Sequence, residues 1–155
     1  MADHVLATRV WVGRPRPDVF ALFADPSVLA TLTPPSFALR LVTPVSTMRA
    51  GSVLDYRMRW LGLPVSWRAY IREFDAPYRF MDVQVRGPFA RWEHRHRFLE
   101  EDGGTVIEDR VVFRLPFGPL GRVAYRAMVG RQLRAAWDYR TERLAALLGP
   151  VRPAD

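Results

Sequence analysis

Apolar and polar residues alternate through most of the chain's middle. From Gly51 to Leu61, Leu54, Tyr56, Met58 and Trp60 share one parity, and Asp55, Arg57 and Arg59 share the other. From Ser66 to Phe74, Trp67, Ala69 and Ile71 oppose Arg68, Tyr70 and Arg72. Tyr78 to Arg86, Ala90 to Glu100 and Thr105 to Leu115 continue as strands. Gly62-Leu63-Pro64, Asp75-Ala76-Pro77 and Gly87-Pro88 turn the chain between them, and Glu101-Asp102-Gly103-Gly104 is a hairpin signal. Alternation of this kind predicts an antiparallel sheet with one face in water.

The two ends read differently. His4 to Val12 is a loosely alternating strand, closed by Gly13-Arg14-Pro15. Pro17 and Asp18 then open a short helix, Pro and an acid being favoured where the first-turn N–H groups are free. Asp25-Pro26 ends it, a second helical turn carries Val28 and Leu29, and Phe37 to Val42 is a short strand. After Pro116, residues 120–148 form one long helix whose apolar positions include Ala124, Met128, Leu133, Ala136, Trp137, Leu144, Leu147 and Leu148. Gly121 and Gly130 each weaken it by about 1 kcal/mol relative to Ala, which a helix tolerates where its backbone must bend or approach another closely. Gly149-Pro150 stops it.

The order is strand, two short helices, six strands, long helix. Helices segregated from an antiparallel sheet make the class α+β. A sheet of about seven strands curls under its own twist, and a long helix laid across its concave face leaves a cavity between them. No linker, repeat or low-complexity stretch divides the chain, so residues 1–155 are expected to form a single domain.

Strand parity shows what that cavity would hold. Trp92, His94, His96 and Phe98 share one parity, and Arg91, Glu93, Arg95 and Arg97 share the solvent-facing one. Thr105, Ile107, Asp109, Val111 and Phe113 oppose Glu108, Arg110 and Arg114. Both histidines and Asp109 therefore point inward. The Tyr78–Arg86 strand is ambiguous, since Phe80, Asp82 and Gln84 oppose Met81, Val83 and Val85, and periodicity alone favours the second set inside.

Composition narrows the function classes. Hydrophobic residues make up 49% and charged residues 25% of 155, which excludes a disordered chain. The longest apolar run falls short of a membrane span. The first residues lack a basic segment followed by an apolar one, so the expected compartment is the cytoplasm. There is no cysteine, hence no thiolate nucleophile or thiolate metal site. Net charge is +7, carried wholly by arginine, but the arginines are scattered, and many fall on outward parities beside Asp55, Glu73, Glu93 and Glu108. A cross-paired solvent face accounts for them, and no nucleic-acid partner is expected.

The same residues resemble a family. Phe20…Phe23 and Leu32-Thr33-Pro34-Pro35 are similar to its opening. Gly51…Tyr56…Gly62-Leu63-Pro64…Trp67…Ile71 follow. Then come Phe80-x-Asp82-x-Gln84-x-x-Gly87-Pro88-Phe89, Trp92-x-His94-x-His96-x-Phe98, Thr105…Asp109-x-Val111…Pro116, and Tyr139-Arg140 on the long helix. Together these resemble the START-like, or SRPBCC, superfamily of helix-grip proteins, in its bacterial polyketide cyclase/dehydrase-like branch. The resemblance implies a curved antiparallel sheet wrapped on the C-terminal helix and a deep, mostly apolar cavity. It also implies that Phe80, Asp82 and Gln84 face inward.

Tyr56, Asp82, Gln84, His94, His96 and Asp109 then form a polar patch in an apolar cup, walled by Trp67, Phe80, Trp92, Phe113, Leu133 and Trp137. Three uses are open. The polar groups satisfy one another and hold the sheet in shape. They orient a hydrophobic or amphipathic small molecule in a carrier or sensor. Or His94 or His96, with Asp109 or Asp82, acts as the acid–base pair of a cofactor-free aromatase/cyclase or dehydratase, with Tyr56 or Gln84 as donor to an enolate oxygen. No metal and no cofactor are expected, since His-x-His with a carboxylate lacks a full ligand set on the inferred inner faces. Integral membrane association is not expected either. A monomer or a homodimer is expected, with Phe117, Leu120 and Tyr125 available for a dimer face or the cavity mouth.

Overall fold

A computed structural model describes residues 2–44 and 46–155. Among them, eight strands form one antiparallel sheet in the order β2-β3-β4-β5-β6-β7-β1-β8. They are β1 (His4–Val12), β2 (Arg40–Leu41), β3 (Val53–Trp60), β4 (Leu63–Asp75), β5 (Arg79–Arg86), β6 (Arg91–Glu101), β7 (Gly104–Arg114) and β8 (Val151–Pro153). The helices are α1 (Arg16–Phe23), α2 (Val28–Leu32), α3 (Gly118–Ala124) and α4 (Gly130–Leu148). A single π turn, Tyr125–Val129, joins α3 to α4. This is the α+β helix-grip arrangement, the sheet curved around the long C-terminal helix.

The expected count of about seven strands is short by one. β8 has only three residues and contains Pro153. Alternation cannot flag so short a segment, and Pro is tolerated there because β8 is an edge strand paired only with β1. The strand expected over Phe37–Val42 shrinks to Arg40–Leu41, because a 3-10 turn takes Pro35–Phe37 and Ala38 turns left-handed at φ 46°. The β3–β4 turn is tighter than Gly62-Leu63-Pro64, since Leu63 and Pro64 already belong to β4.

The long helix departs from a uniform 3.6-residue period. In its first half the buried positions are Gly121, Val129 and Gly130, with Tyr125 half-buried between the first two; Ala124 and Met128, expected on the inner face, are exposed. The π turn accommodates one extra residue per turn, so contacts at spacing four are kept up to Leu133. Gly121 is required where it stands, because a Cβ there would run into the carbonyl oxygen of Pro116. Tyr125 stacks on His4 at 3.8 Å between ring centroids, while Phe117 and Leu120 stand exposed.

Packing falls into two apolar clusters on the concave side. One joins Phe20 and Phe23 of α1 to Leu54, Ile71, Phe80, Phe98, Leu144 and Leu148. The other gathers Phe89, Trp92, Val111, Phe113 and Val129, with Trp60, Trp67, Leu133 and Trp137 against it. On the convex side the arginines pair as expected: Arg68 with Asp55 at 2.7 Å and Arg97 with Glu108 at 3.0 Å. Among the described residues, no helix is long and apolar enough to cross a membrane.

Candidate functional site

A cavity of about 210 Å³ lies between the sheet and α4. A void that holds one water needs only about 10–15 Å³, so this is a ligand-sized space and not a packing defect. Strands β3, β4, β5 and β6 floor it with Tyr56, Trp67, Phe80 and Trp92. Leu133 and Trp137 of α4 roof it, and Phe23 of α1 and Leu32 of α2 close one side. Six of these eight walls are aromatic, which gives large apolar area with little freedom to collapse.

The polar groups gather on three neighbouring strands, β5, β6 and β7, with one more from α4. His94 and His96 stand two apart on β6, so both imidazoles leave the same face. In the β5–β6 register Asp82 faces His94 and Phe80 faces His96. Asp82 Oδ1 accepts a hydrogen bond from His96 Nε2 at 3.1 Å and lies 3.9 Å from His94 Nδ1. Asp109 comes from β7, opposite His96. Its Oδ1 accepts a hydrogen bond from His94 Nε2 at 2.8 Å. His96 Nδ1 lies 2.9 Å from the same oxygen, out of line for a hydrogen bond, so that contact is electrostatic. Arg140 Nη2 reaches Asp109 Oδ1 from α4 at 3.4 Å.

Each imidazole thus has one nitrogen toward Asp82 and the other toward Asp109. Asp82, His94, His96 and Arg140 line the cavity, whereas Asp109 stands behind the histidines. Phe80 stacks on the His96 ring at 4.1 Å, and Trp137 lies 5.6 Å from the His94 ring. Arg140 lies over the Phe23 ring at 4.7 Å. Aromatic rings that also wall the cavity thus frame the cluster.

Burial and charge set the protonation states. Burial penalises the charged form of His94, and the nearby His96 adds to it, so His94 is pushed below the usual histidine range. Burial acts on His96 too, but the carboxylates of Asp109 and Asp82 outweigh it and raise that residue. Asp109 is buried as well, yet Arg140 and then the two histidines hold it well below the usual carboxylate range. The shifts run in opposite directions along one strand: His94 is biased toward the neutral imidazole and His96 toward the imidazolium, while Asp109 is biased toward the carboxylate. Tyr56 is raised, by burial first and by Asp82 second, and its hydroxyl donates to the Pro26 carbonyl at 3.2 Å.

Three residues picked out from the sequence stand elsewhere. Gln84 does not line the cavity: its amide donates to the Phe89 carbonyl at 2.7 Å and accepts from the Phe89 N–H at 3.2 Å. Phe113 is 1% exposed and packs beneath Phe89 and Trp92, under the cavity wall. Asp109 reaches the cavity only through the imidazoles it holds. Conversely, the sequence motifs gave Arg140 no role. Its signal was its place on the stripe Leu133, Trp137, Arg140, Leu144, Leu148, a charged residue on the buried face of a helix. Trp137, on the same stripe, keeps its Nε1 buried with no acceptor among the described residues.

Three comparisons bear on this arrangement. The sequence model of the family described as "Polyketide cyclase / dehydrase and lipid transport" matches residues 12–137. Among solved structures, a protein of Thermus thermophilus shares 19% identity at TM-score 0.71, over 93% of this chain and 99% of that one. A protein of Chromobacterium violaceum shares 16% at TM-score 0.74, over 94% and 97%. The Zhui aromatase/cyclase from Streptomyces sp. R1128 shares 15% at TM-score 0.70, over 94% and 96%. At these identities the structures testify to the fold alone. No curated protein matches.

Proposed function

Since the chain belongs to the polyketide cyclase / dehydrase and lipid transport family of START-like, or SRPBCC, proteins, we propose that it binds a hydrophobic or amphipathic small molecule between its sheet and C-terminal helix. The observation that carries this is the cavity's asymmetry. Its walls are aromatic and aliphatic, and the polar groups of Asp82, His94, His96 and Arg140 meet in one place. An apolar pocket with a few convergent polar groups orients a ligand by those groups and holds it by the rest. Such a molecule carries an oxygen function at one end and an apolar body. The unpartnered Trp137 N–H is a further donor, and leaving it so costs about 1–3 kcal/mol until an acceptor arrives. We take the protein to act as a single-domain carrier or sensor in the cytoplasm.

The test is native mass spectrometry of the purified protein beside a denatured sample, with an apolar fluorescent probe titrated in parallel. A discrete extra mass lost on denaturation, or saturable probe binding, supports the reading. A bare mass together with no probe binding removes it.

One observation favours a second reading. His94 is buried, lines the cavity and donates to Asp109 at 2.8 Å, the geometry in which a carboxylate fixes the tautomer of an imidazole. In a cyclase or dehydratase, His94 would take the proton alpha to a carbonyl, and the enolate oxygen would sit against His96 and Arg140. Loss of cyclised product from a poly-β-ketone thioester in Asp109→Asn, with the fold intact, supports it. Turnover unchanged in that variant rules it out.

A further inference from the structure

We propose that Asp82, His94 and His96 form a binding site for a divalent transition-metal ion of the zinc type, open on its fourth side to the cavity. The proposal stands apart from the identity of the cavity's ligand.

Donor chemistry comes first. Two imidazoles and one carboxylate are the ligand set of open zinc sites, in which three protein groups leave a position for water or substrate. The metal-facing atoms are His94 Nδ1, His96 Nε2 and Asp82 Oδ1, and the three residues' donor atoms lie within 4.8 Å of one another. Two ligands about 2.0–2.1 Å from a tetrahedral zinc stand about 3.3 Å apart. The separations here are 3.1 Å from Asp82 Oδ1 to His96 Nε2 and 3.9 Å to His94 Nδ1. Small side-chain rotations close that difference, and all three residues sit on paired strands of the sheet.

The surroundings supply the second observation. In metal sites each ligating histidine usually gives its other N–H to a carboxylate or carbonyl, which fixes the ring. Here one buried carboxylate does so for both rings. Asp109 Oδ1 lies 2.8 Å from His94 Nε2 and 2.9 Å from His96 Nδ1, the two nitrogens turned away from Asp82. A simple Asp–His pair needs one such contact; two imidazoles held from behind, with their remaining nitrogens converging on a second carboxylate, make a cation cradle. With the ion bound, His96 would coordinate through Nε2, any proton there being released to water, and would carry its proton on Nδ1, toward Asp109.

Charge is consistent with this. Among the described residues, the two carboxylates Asp82 and Asp109 are met by one arginine, Arg140, whose contact is to Asp109. The sequence spacing gave no such expectation, because the two histidines sit on β6 while the third ligand lies across the β5–β6 ladder, on a strand whose parity was ambiguous. A metal on His94 Nδ1 occupies the atom that the proton-shuttle reading uses, so it displaces that reading. It leaves ligand binding intact and gives the ligand's oxygen a coordination position.

Untagged full-length protein, stripped with a chelator, is titrated with Zn²⁺ by calorimetry and with Co²⁺ by visible absorption. The expected result is one ion per chain and Co²⁺ bands of a four- or five-coordinate site. Asp82→Asn and His96→Gln should abolish these, and Asp109→Asn should weaken affinity about 10- to 100-fold. Circular dichroism of each variant reports the fold, and the intense Co²⁺ bands of the parent protein are a readout that needs no variant. Absence of saturable binding by the parent overturns the proposal, as does equal binding by folded Asp82→Asn. Probe binding by the stripped protein is read in the same samples, so that loss of the metal proposal and loss of the ligand-binding reading are told apart.

Discussion

The side chain of Gln84 clasps the backbone of Phe89 from both sides, donating to its carbonyl at 2.7 Å and accepting from its N–H at 3.2 Å. The clasp spans the β5–β6 turn and fixes the Phe89 ring, which packs 5.2 Å from Trp60, 5.8 Å from Trp67 and 4.8 Å from Trp92. A residue expected to face the cavity instead positions one of its walls.

Gln84→Ala is therefore expected to act on wall rigidity. Two hydrogen bonds are lost and the half-buried Phe89 groups are left unpaired, a loss of about 1–3 kcal/mol. Apolar probe affinity should fall with the loosened wall, while a Co²⁺ titration stays as in the parent. A urea melt indistinguishable from the parent's would show that the clasp contributes nothing.

Parity read β6 correctly because its outer face is wholly charged or polar: Arg91, Glu93, Arg95 and Arg97 against Trp92, His94, His96 and Phe98. It could not read β5. Met81 and Val83 are each 5% exposed although they lie on the convex side, and the guanidinium of Arg95 reaches the Met81 sulfur at 3.8 Å. Long arginine stems cover apolar residues on a solvated face, so an apolar set marks burial without marking the cavity. The family resemblance chose Phe80 and Asp82 over periodicity, and both line the cavity. It placed Gln84 with them, and a local backbone bond that no parity argument contains took that residue away. Arg140 escaped for a different reason: its partner Asp109 is 31 residues distant, so the pair exists only once the helix lies on the sheet.

That pair makes a second prediction. Asp109 is buried, and among the described residues Arg140 is the one arginine that contacts it. Arg140→Met should cost about 3–5 kcal/mol, since it leaves a buried carboxylate uncompensated. Adding Asp109→Asn removes that charge, so the double variant should recover part of the loss. Denaturant melts of both single variants and the double variant give the coupling directly. A double variant less stable than Arg140→Met alone would mean that the two residues do not act as a pair.

The helix glycines give a prediction of sign. Gly→Ala in an exposed helix interior normally gains about 1 kcal/mol. At Gly121 the new methyl would press on the Pro116 carbonyl, so Gly121→Ala should lose roughly 1–3 kcal/mol as overpacked sites do. At Gly130 the methyl would stand 3.2 Å from the Tyr125 ring, which can shift slightly, so that variant should lie near neutral. Thermal melts of the two variants compare them; a stabilised Gly121→Ala would show that α3 does not close on Pro116.

Ala69 offers the sharpest test of the cavity. It sits on β4 between Trp67 and Ile71, lines the cavity and is 6% exposed. A larger side chain in a packed core costs about 1–3 kcal/mol, but here the added ring points into open space. Ala69→Phe should therefore fold with stability equal to or above the parent's, because it buries new apolar area at about 25 cal/mol per Å². It should also lose the apolar probe and any co-purified mass, while the cluster on β5 and β6 keeps its Co²⁺ response. Native mass spectra and melts of the same preparation report both properties. Probe binding at parental affinity in a folded Ala69→Phe would place the ligand outside this cavity and end the argument that the sheet and α4 enclose it.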